Sequence, residues 1–430
     1  MSHSEKIDQD DILRARSILL AGIHPAPREQ VDAYRVLAQV SPAAYLPLLV
    51  RALHRLSYDV GTGKKHAVFL ALCEEAVAAA RAIDPAEPFR ADVLYVALDW
   101  CQKELYEQDR HTEGLALRAE MLAIGRAQAA RSAAAEVRGL HAWAAGLSEA
   151  GRYAEAADAL TEIAEAALPR GPRNGELART LLDWAAALDD AGRSEEALAA
   201  CEQVVAVEAA EAATDRVPMT CHLFALVRYA QMLDIRGRGT QAAAVRQEAL
   251  ALLTELAATG ERTSWGGYPA QYWAVLLSFA CAETDRPAPG GPRPATGAAP
   301  MPWSPDGRRR FLDSRTALRE EVDALTPRAA EDPDRHLAEL VRLHRALTVR
   351  SAVYWVQRTL FATRVRSLFD EGVALARRLS HHAPATGTPA LATALIDRAT
   401  FHTAAHEFAP ALADFREALT HLGETTPPAR

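Results

Sequence analysis

The chain has 430 residues, 49% of them hydrophobic, and 56 acidic side chains against 48 basic ones leave it with a net charge of −8. Such a chain can bury a sizeable core, and its acidic balance argues against general binding to nucleic acid phosphates. No run of about eighteen apolar residues occurs, so no membrane partner is expected, and the polar, acidic start MSHSEKIDQDD lacks the basic-then-apolar order of a secretion signal, which places the protein in the cytoplasm. Alanine and leucine abound and no long stretch alternates β-branched residues, so the chain reads as all-helical.

From the N-terminus, residues 8–22 and 28–40 read as a capping helical pair, giving a cap over 1–45. The stretch from Ala43 to Pro85 then has the cadence helix, turn, helix. Its turn, GTGKK from Gly61, resembles the end of a phosphate-binding loop. The first glycine of that motif would fall at Tyr58, however, and Lys65 stands where a hydroxyl residue is needed, so a plain turn is the simpler reading. Next come Leu98, Cys101 and Leu105, then Asp109, then a helix with Leu117 and Met121.

One short phrase then recurs: AGRYAEA from Ala150, AGRSEEA from Ala191 and, more loosely, RGRGTQA from Arg236. Aligned on Gly151, Gly192 and Gly237, the preceding helices carry Leu140, Trp143, Ala144 and Leu147, then Leu181, Trp184, Ala185 and Leu188, then Leu226, Tyr229, Ala230 and Leu233. Spacings of three, four and seven put each set on one helical face. Five residues past each glycine stands Ala156, Ala197 or Ala242, where two antiparallel helices approach closely. Each glycine can end a helix in the left-handed region and start a tight return. Asp109 falls in the same slot one unit earlier. Leu395, Ala399, Phe408, Ala411, Phe415 and Ala418 repeat the register near the C-terminus, and DPDRHLAELVRLHRALTVRSAVYW resembles another damaged copy.

This order of bulky residue, small residue, leucine, turn glycine, tyrosine (Tyr153), alanine and later apolar position is similar to the tetratricopeptide repeat family, and the weaker copies resemble degenerate repeats of large actinobacterial regulatory and signalling proteins. The turn glycines lie 41 and 45 residues apart, beyond the family's usual spacing of about 34, so longer helices or a related HEAT-like array are both open. The resemblance implies a right-handed α-solenoid of antiparallel hairpins whose first helices line a concave groove. By register the groove includes Asp99, Lys103, Tyr106, Arg138, His141, Arg179, Asp189, Phe224, Gln231 and Asp234. The lysine and asparagines with which some family members clamp a C-terminal carboxylate are absent.

Between Asp285 and Pro305 the chain holds seven prolines in twenty-one residues, which no helix tolerates. It reads either as a linker between a solenoid over 46–284 and a C-terminal helical region over 306–430, or as an oversized loop inside one hairpin, with Ser304-Pro305 starting a helix through about Leu325. Net charge is −11 over 1–284, with 28 basic and 39 acidic groups, and +3 over 308–430, with 18 and 15.

The second region holds six arginines from Leu340 to Phe369 with no acidic residue among them. Arg342, Arg345, Arg350 and Arg364 fall on one helical side and Arg358 and Arg366 off it, so a basic surface for an acidic partner competes with pairing inside the protein. His402 and His406 lie four apart on an expected helix, and His381 and His382 in an expected loop. Neither pair has a metal-site pattern, so no metal or other cofactor is expected. The five cysteines, Cys73, Cys101, Cys201, Cys221 and Cys281, form no C-x-x-C pair and read as free, buried thiols. With no catalytic motif, the expected function is non-catalytic: an adaptor or regulator holding a segment of another protein in the groove, or else a sensor that closes around a small peptide or metabolite. Nothing in the sequence fixes the oligomeric state.

Overall fold

The computed structural model describes residues 8–20, 25–60, 66–131, 136–171, 176–263, 268–279, 305–356 and 361–424. Every regular element among them is helical: α1 (Gln9–Leu20), α2 (Pro27–Val40), α3 (Pro42–Val60), α4 (His66–Arg81), α5 (Arg90–Glu107), α6 (His111–Ala129), α7 (Leu140–Glu149), α8 (Tyr153–Ala167), α9 (Glu176–Asp190), α10 (Ser194–Ala212), α11 (Met219–Ile235), α12 (Gly239–Thr259), α13 (Tyr268–Phe279), α14 (Pro305–Glu331), α15 (Pro333–Trp355), α16 (Phe361–His382), α17 (Pro384–Ala404) and α18 (Phe408–His421). Prolines 27, 42, 305, 333 and 384 open helices, where the missing N–H is not needed and φ is already set. The fold is an all-α solenoid of antiparallel hairpins.

The recurring phrase has a direct structural cause. Gly151, Gly192 and Gly237 have φ of 73°, 76° and 70°, and Asp109 and His406 take the same left-handed turn at 61° and 60°. In each case the next residue donates its backbone N–H back across the turn: Arg110 to Leu105, Arg152 to Leu147, Arg193 to Leu188, Arg238 to Leu233 and Glu407 to His402, at 2.8–2.9 Å. This closes the orphan carbonyls of the first helix. The arginine then reaches forward to a carboxylate in the first turn of the second helix. Nε and Nη2 of Arg110, Arg152 and Arg193 clasp Glu113, Glu155 and Glu196 at 2.6–2.8 Å. Arg193 also donates to Asp158 (2.9 Å) and Arg238 to Glu195, each on the second helix of the hairpin before. These pairs lie in solvent, which screens them, so the ladder fixes orientation more than it stabilises.

Packing follows the register. The two register leucines before each turn glycine are buried to 3% exposure or less, and Ala156, Ala197 and Ala242 are fully buried at the closest approach. Between Gly151 and Gly192 lie α8 and α9, of 15 residues each, and the connection 168–175; between Gly192 and Gly237 lie the longer α10 and α11, of 19 and 17, so connection and helix length together account for the wide spacing.

The chain divides into two compact units, Met1–Gly146 with Ser304–Asp306 and a larger one built from Leu147–Trp303 with Gly307–Arg430, so the main division falls within α7. In the first unit each helix from α1 to α6 packs on its chain neighbours, around a core that includes Leu53, Cys73, Ala76, Leu98 and Met121. The second unit does more than stack. Helix α13 packs against α11, α15 and α17, and α12 against α18. Trp273 of α13, 1% exposed, donates Nε1–H to the Thr400 hydroxyl at 2.9 Å and sits among Phe361, Phe369 and Phe401 with ring centroids 6.0–6.3 Å away. Phe369 and Phe401 are stacked at 4.7 Å. Arg246 of α12 donates Nε–H to Glu424 at 2.9 Å, spanning 178 residues of chain.

Residues 280–304, which hold nearly all of the proline-rich segment, lie outside the described residues. The helices on either side of it share one core: Leu181, Phe224 and Trp273 pack with Val349, Phe369 and Phe401. Most of the chain on both sides of 285–305 thus belongs to the second unit. Aromatic burial between α11, α13, α16 and α17 outweighs the charge contrast.

Candidate functional site

In the first unit, α5 presents Tyr95, Asp99 and Lys103 on one face at a spacing of four. Lys103 Nζ lies 2.6 Å from Asp99 Oδ2. Arg138, just before α7, lays its guanidinium over the Tyr95 ring at 4.0 Å and donates to Asp92 Oδ1 at 2.6 Å, tying the start of α7 to α5. Burial pushes the Tyr95 hydroxyl above its ordinary pKa, with Asp99 adding to the effect. Helix α3 contributes His54, edge-on to Trp100 at 5.0 Å, and burial followed by the Lys103 charge pushes that imidazole below its ordinary pKa. His141 is exposed on α7. Of the residues expected in the groove, Asp99 and Lys103 lie on α5, His141 on α7, and Arg138 just before α7. This face mixes both signs of charge with aromatic edges.

Tyr106 does not join them. It is 1% exposed, its ring lies 3.8 Å below the Arg118 guanidinium, and a Cβ on Gly114 would fall 2.6 Å from it. Gly114 occupies the slot that holds alanine in other hairpins, and the ring fills the space. Phe224 is a second departure, at 2% exposure, because α13 and the helices after it cover the inner face of α11.

In the second unit Arg179 is half-buried, and burial pushes the nearby Asp183 carboxyl up to about 7 against the pull of Arg179. Asp189 accepts from Arg236 at 2.7 Å, a tie from α9 to the next turn. Gln231 and Asp234 lie toward the end of α11. Asp234 pairs with Arg246, whose guanidinium also holds Glu424.

The arginines of α15 and α16 form no continuous stripe. Arg345 clasps Asp397 of α17 with Nε at 2.7 Å and Nη2 at 3.3 Å. Arg342 pairs with Glu339 at 2.6 Å, Arg366 with Glu407 at 2.9 Å, and Arg364 lies 5.3 Å above the Trp355 ring. Arg350 is half-buried on α15, and Arg358 lies outside the described residues. Pairing inside the protein, the reading that competes with a basic surface, engages Arg342, Arg345 and Arg366.

Two adjoining cavities open here. One, of about 180 Å³, lies between α11, α12, α15, α17 and α18 and is lined by Arg228, Gln231, Asp234, Arg246, Arg345 and Thr393 among others. The other, of about 300 Å³, lies between α15, α16 and α17 and is mainly apolar. Arg345, Thr393 and Asp397 line the apolar one, and the first two also line its neighbour. Gln231 and Asp234, expected from register, and Arg345, expected from charge, thus meet at one place.

His402 and His406 are not one helical pair. His402 is buried on α17 with Nδ1 2.7 Å from Glu407 Oε2, while His406 is the left-handed turn residue beyond the helix end. His381 and His382 end α16 and are not in a loop, with His382 Nε2 2.7 Å from Asp334 Oδ1. Among the described residues no group of three His, Cys, Asp or Glu side chains could hold a metal ion. The turn GTGKK lies outside the described residues. The four described cysteines are free and buried, and burial pushes Cys101 up to about 11 and Cys201 up to about 12, so neither is a ready nucleophile.

One polar site had no signal in the sequence. Glu208 of α10 is fully buried, and loss of water pushes its carboxyl up to about 8, with the Glu211 charge adding and the Tyr272 hydroxyl opposing. The helical pattern puts Glu208 on an inner face, but nothing in its neighbours along the chain distinguishes it from a solvated glutamate.

No helix among the described residues is long and apolar enough to cross a membrane. No family model and no curated protein matches the chain. Among solved structures, the crystal structure of the P58(IPK) TPR domain is similar at 13% sequence identity with a TM-score of 0.20, covering 86% of this chain and 93% of that chain.

Proposed function

We propose that the protein is a non-catalytic, tetratricopeptide-like interaction protein, an adaptor or regulator in the cytoplasm that holds an extended or helical segment of another protein against the first-helix face of α3, α5 and α7. The observation that carries this reading is the exposed set Lys103 on α5, Arg138 just before α7 and His141 on α7, arrayed with Asp99 and Tyr95 of α5. A repeat scaffold presents such a face in a fixed geometry, so little side-chain order is lost on binding. The double change Lys103→Glu with His141→Glu tests it: recovery of a stoichiometric partner from native lysate falls at least tenfold while the circular dichroism spectrum is unchanged. Undiminished recovery with both reversals in place refutes this face.

A second reading, a sensor that takes a small ligand inside the second unit, is favoured by the two adjoining cavities and their ring of arginine, aspartate and glutamine side chains. Charge reversal on α5 and α7 leaves binding at those cavities unaffected, so the two readings can be told apart.

A further inference from the structure

We propose that the second unit binds a small neutral ligand, chiefly apolar and carrying one hydrogen-bond donor such as an alcohol or phenol hydroxyl, in the cavity between α15, α16 and α17. This inference rests on the sensor reading and is independent of the α3, α5 and α7 face.

One face of α15 and one face of α17 wall the cavity at helical spacings, with Val341, Arg345 and Thr348 on the first and Ala390, Thr393 and Asp397 on the second. Leu368 and Phe369 of α16 make the rest of it apolar. Its room comes partly from Gly372, also in the lining. A Cβ there would first meet His344 at 3.5 Å, ordinary contact, so no close packing demands a glycine that is unfavourable inside a helix. An apolar cavity of roughly 150 Å³ admits a benzene ring, so about 300 Å³ has room for roughly a dozen heavy atoms.

The charged groups of the lining are matched. Arg345 holds the Asp397 oxygens with Nε and Nη2 at 2.7 and 3.3 Å, and Arg342 holds Glu339 with Nε and Nη2 at 2.8 and 2.6 Å. Each arginine is set against a carboxylate, so neither sign is in excess, and a charged ligand would give up its hydration on entry without gaining an opposite charge. The occupant that fits is neutral.

The hydroxyls decide which polar group it carries. Thr348 donates its hydroxyl proton to the His344 carbonyl at 2.8 Å, Thr393 to the Pro389 carbonyl at 3.0 Å and Thr386 to the Ala383 carbonyl at 3.3 Å. A hydroxyl has one proton and two lone pairs, so all three threonines line the cavity as acceptors. His344 Nδ1, 3.5 Å from the Thr348 oxygen, engages at most one of that oxygen's lone pairs. A ligand that brings an O–H or N–H to this edge completes a hydrogen bond there, and an ether of the same shape does not.

Isothermal titration of the full chain with 4-propylphenol, its methyl ether 4-propylanisole and 4-propylbenzoate tests this, since the three share one apolar body. The phenol is expected to bind saturably and about fivefold more tightly than the ether, the net contribution of one neutral hydrogen bond, and the benzoate not measurably. Changing Thr348, Thr386 and Thr393 together to valine keeps the shape and removes the acceptors, so it should bring the phenol down to the affinity of the ether and leave the ether unchanged. Ala394→Phe fills the cavity and should abolish binding of both. Gly372→Ala, whose methyl group has room beside His344, keeps the fold even where phenylalanine does not, and should weaken both severalfold. If none of the three compounds binds, or if Ala394→Phe and Gly372→Ala bind the phenol as well as the wild type, the sensor reading of this cavity and the proposal fall together. If the ether or the benzoate binds as tightly as the phenol and the filled variants weaken it, the cavity reading stands and the neutral donor class is overturned. A phenol that keeps its advantage in the threonine variant overturns the acceptor edge.

Discussion

Replacing Glu208 by glutamine should stabilise the protein at neutral pH, against the usual trend for core substitutions. The Glu208 carboxyl is fully buried on α10 and its pKa is raised to about 8 from an ordinary 4.5, chiefly by loss of water. Between those values the folded state keeps a proton that the unfolded state has lost, so stability is full below 4.5, falls as pH rises to about 8, and is level above it. At pH 7, 2.5 units above 4.5, the loss at about 1.4 kcal/mol per unit is about 3 kcal/mol. Glutamine has the same shape and does not ionise. Urea unfolding of Glu208→Gln and wild type at pH 5, 7 and 8.5, followed by circular dichroism, should therefore show a difference of under about 1 kcal/mol at pH 5, about 3 at pH 7 and about 5 at pH 8.5. A difference that does not grow with pH, or a variant less stable than wild type at pH 8.5, refutes a protonated Glu208.

Other substitutions probe the turns and the closure of the second unit. Gly192 has φ 76° and open space around its Cβ direction, so Gly192→Ala should cost only the left-handed penalty of about 1 kcal/mol, while Asp109→Gly and His406→Gly should each gain a few tenths to about 1 kcal/mol by thermal melting. Gly387→Ala drives a Cβ to 2.3 Å from the Ser380 backbone and should cost about 3 kcal/mol in the same assay through overpacking. Arg246→Met removes the cation that holds Asp234 and Glu424. It leaves those acids without their partner, at a cost of about 3 kcal/mol, and limited proteolysis should cut near α18 faster than in wild type.

The hairpins were legible because their causes are local. A left-handed turn, a burying leucine face and a small residue at +5 are written within one repeat, which is why Asp109 could be assigned to the turn slot without being glycine. His406 went unrecognised as its counterpart because a histidine four residues after His402 looks like a continued helix. Exposure was half legible: Lys103 and His141 are exposed as their register implies, but the burial of Tyr106 depends on Gly114 across the hairpin. The burial of Phe224 depends on helices more than a hundred residues downstream. Linker and oversized loop both stay open at 285–305 in the sequence because composition does not record that Trp273 reaches Thr400 or that Arg246 reaches Glu424. The pairing of Arg345 with Asp397, 52 residues apart, is likewise a product of the fold.

The claim that the first-helix face of α3, α5 and α7 is the partner surface is tested most directly by photocrosslinking in cells, with the reactive residue placed at Lys103 or His141 and, for comparison, at the exposed Ala119 on the second helix α6. The account predicts the same discrete crosslinked protein from Lys103 and His141 and none from Ala119. Crosslinks equally strong from Ala119, or none from either inner position, would contradict it.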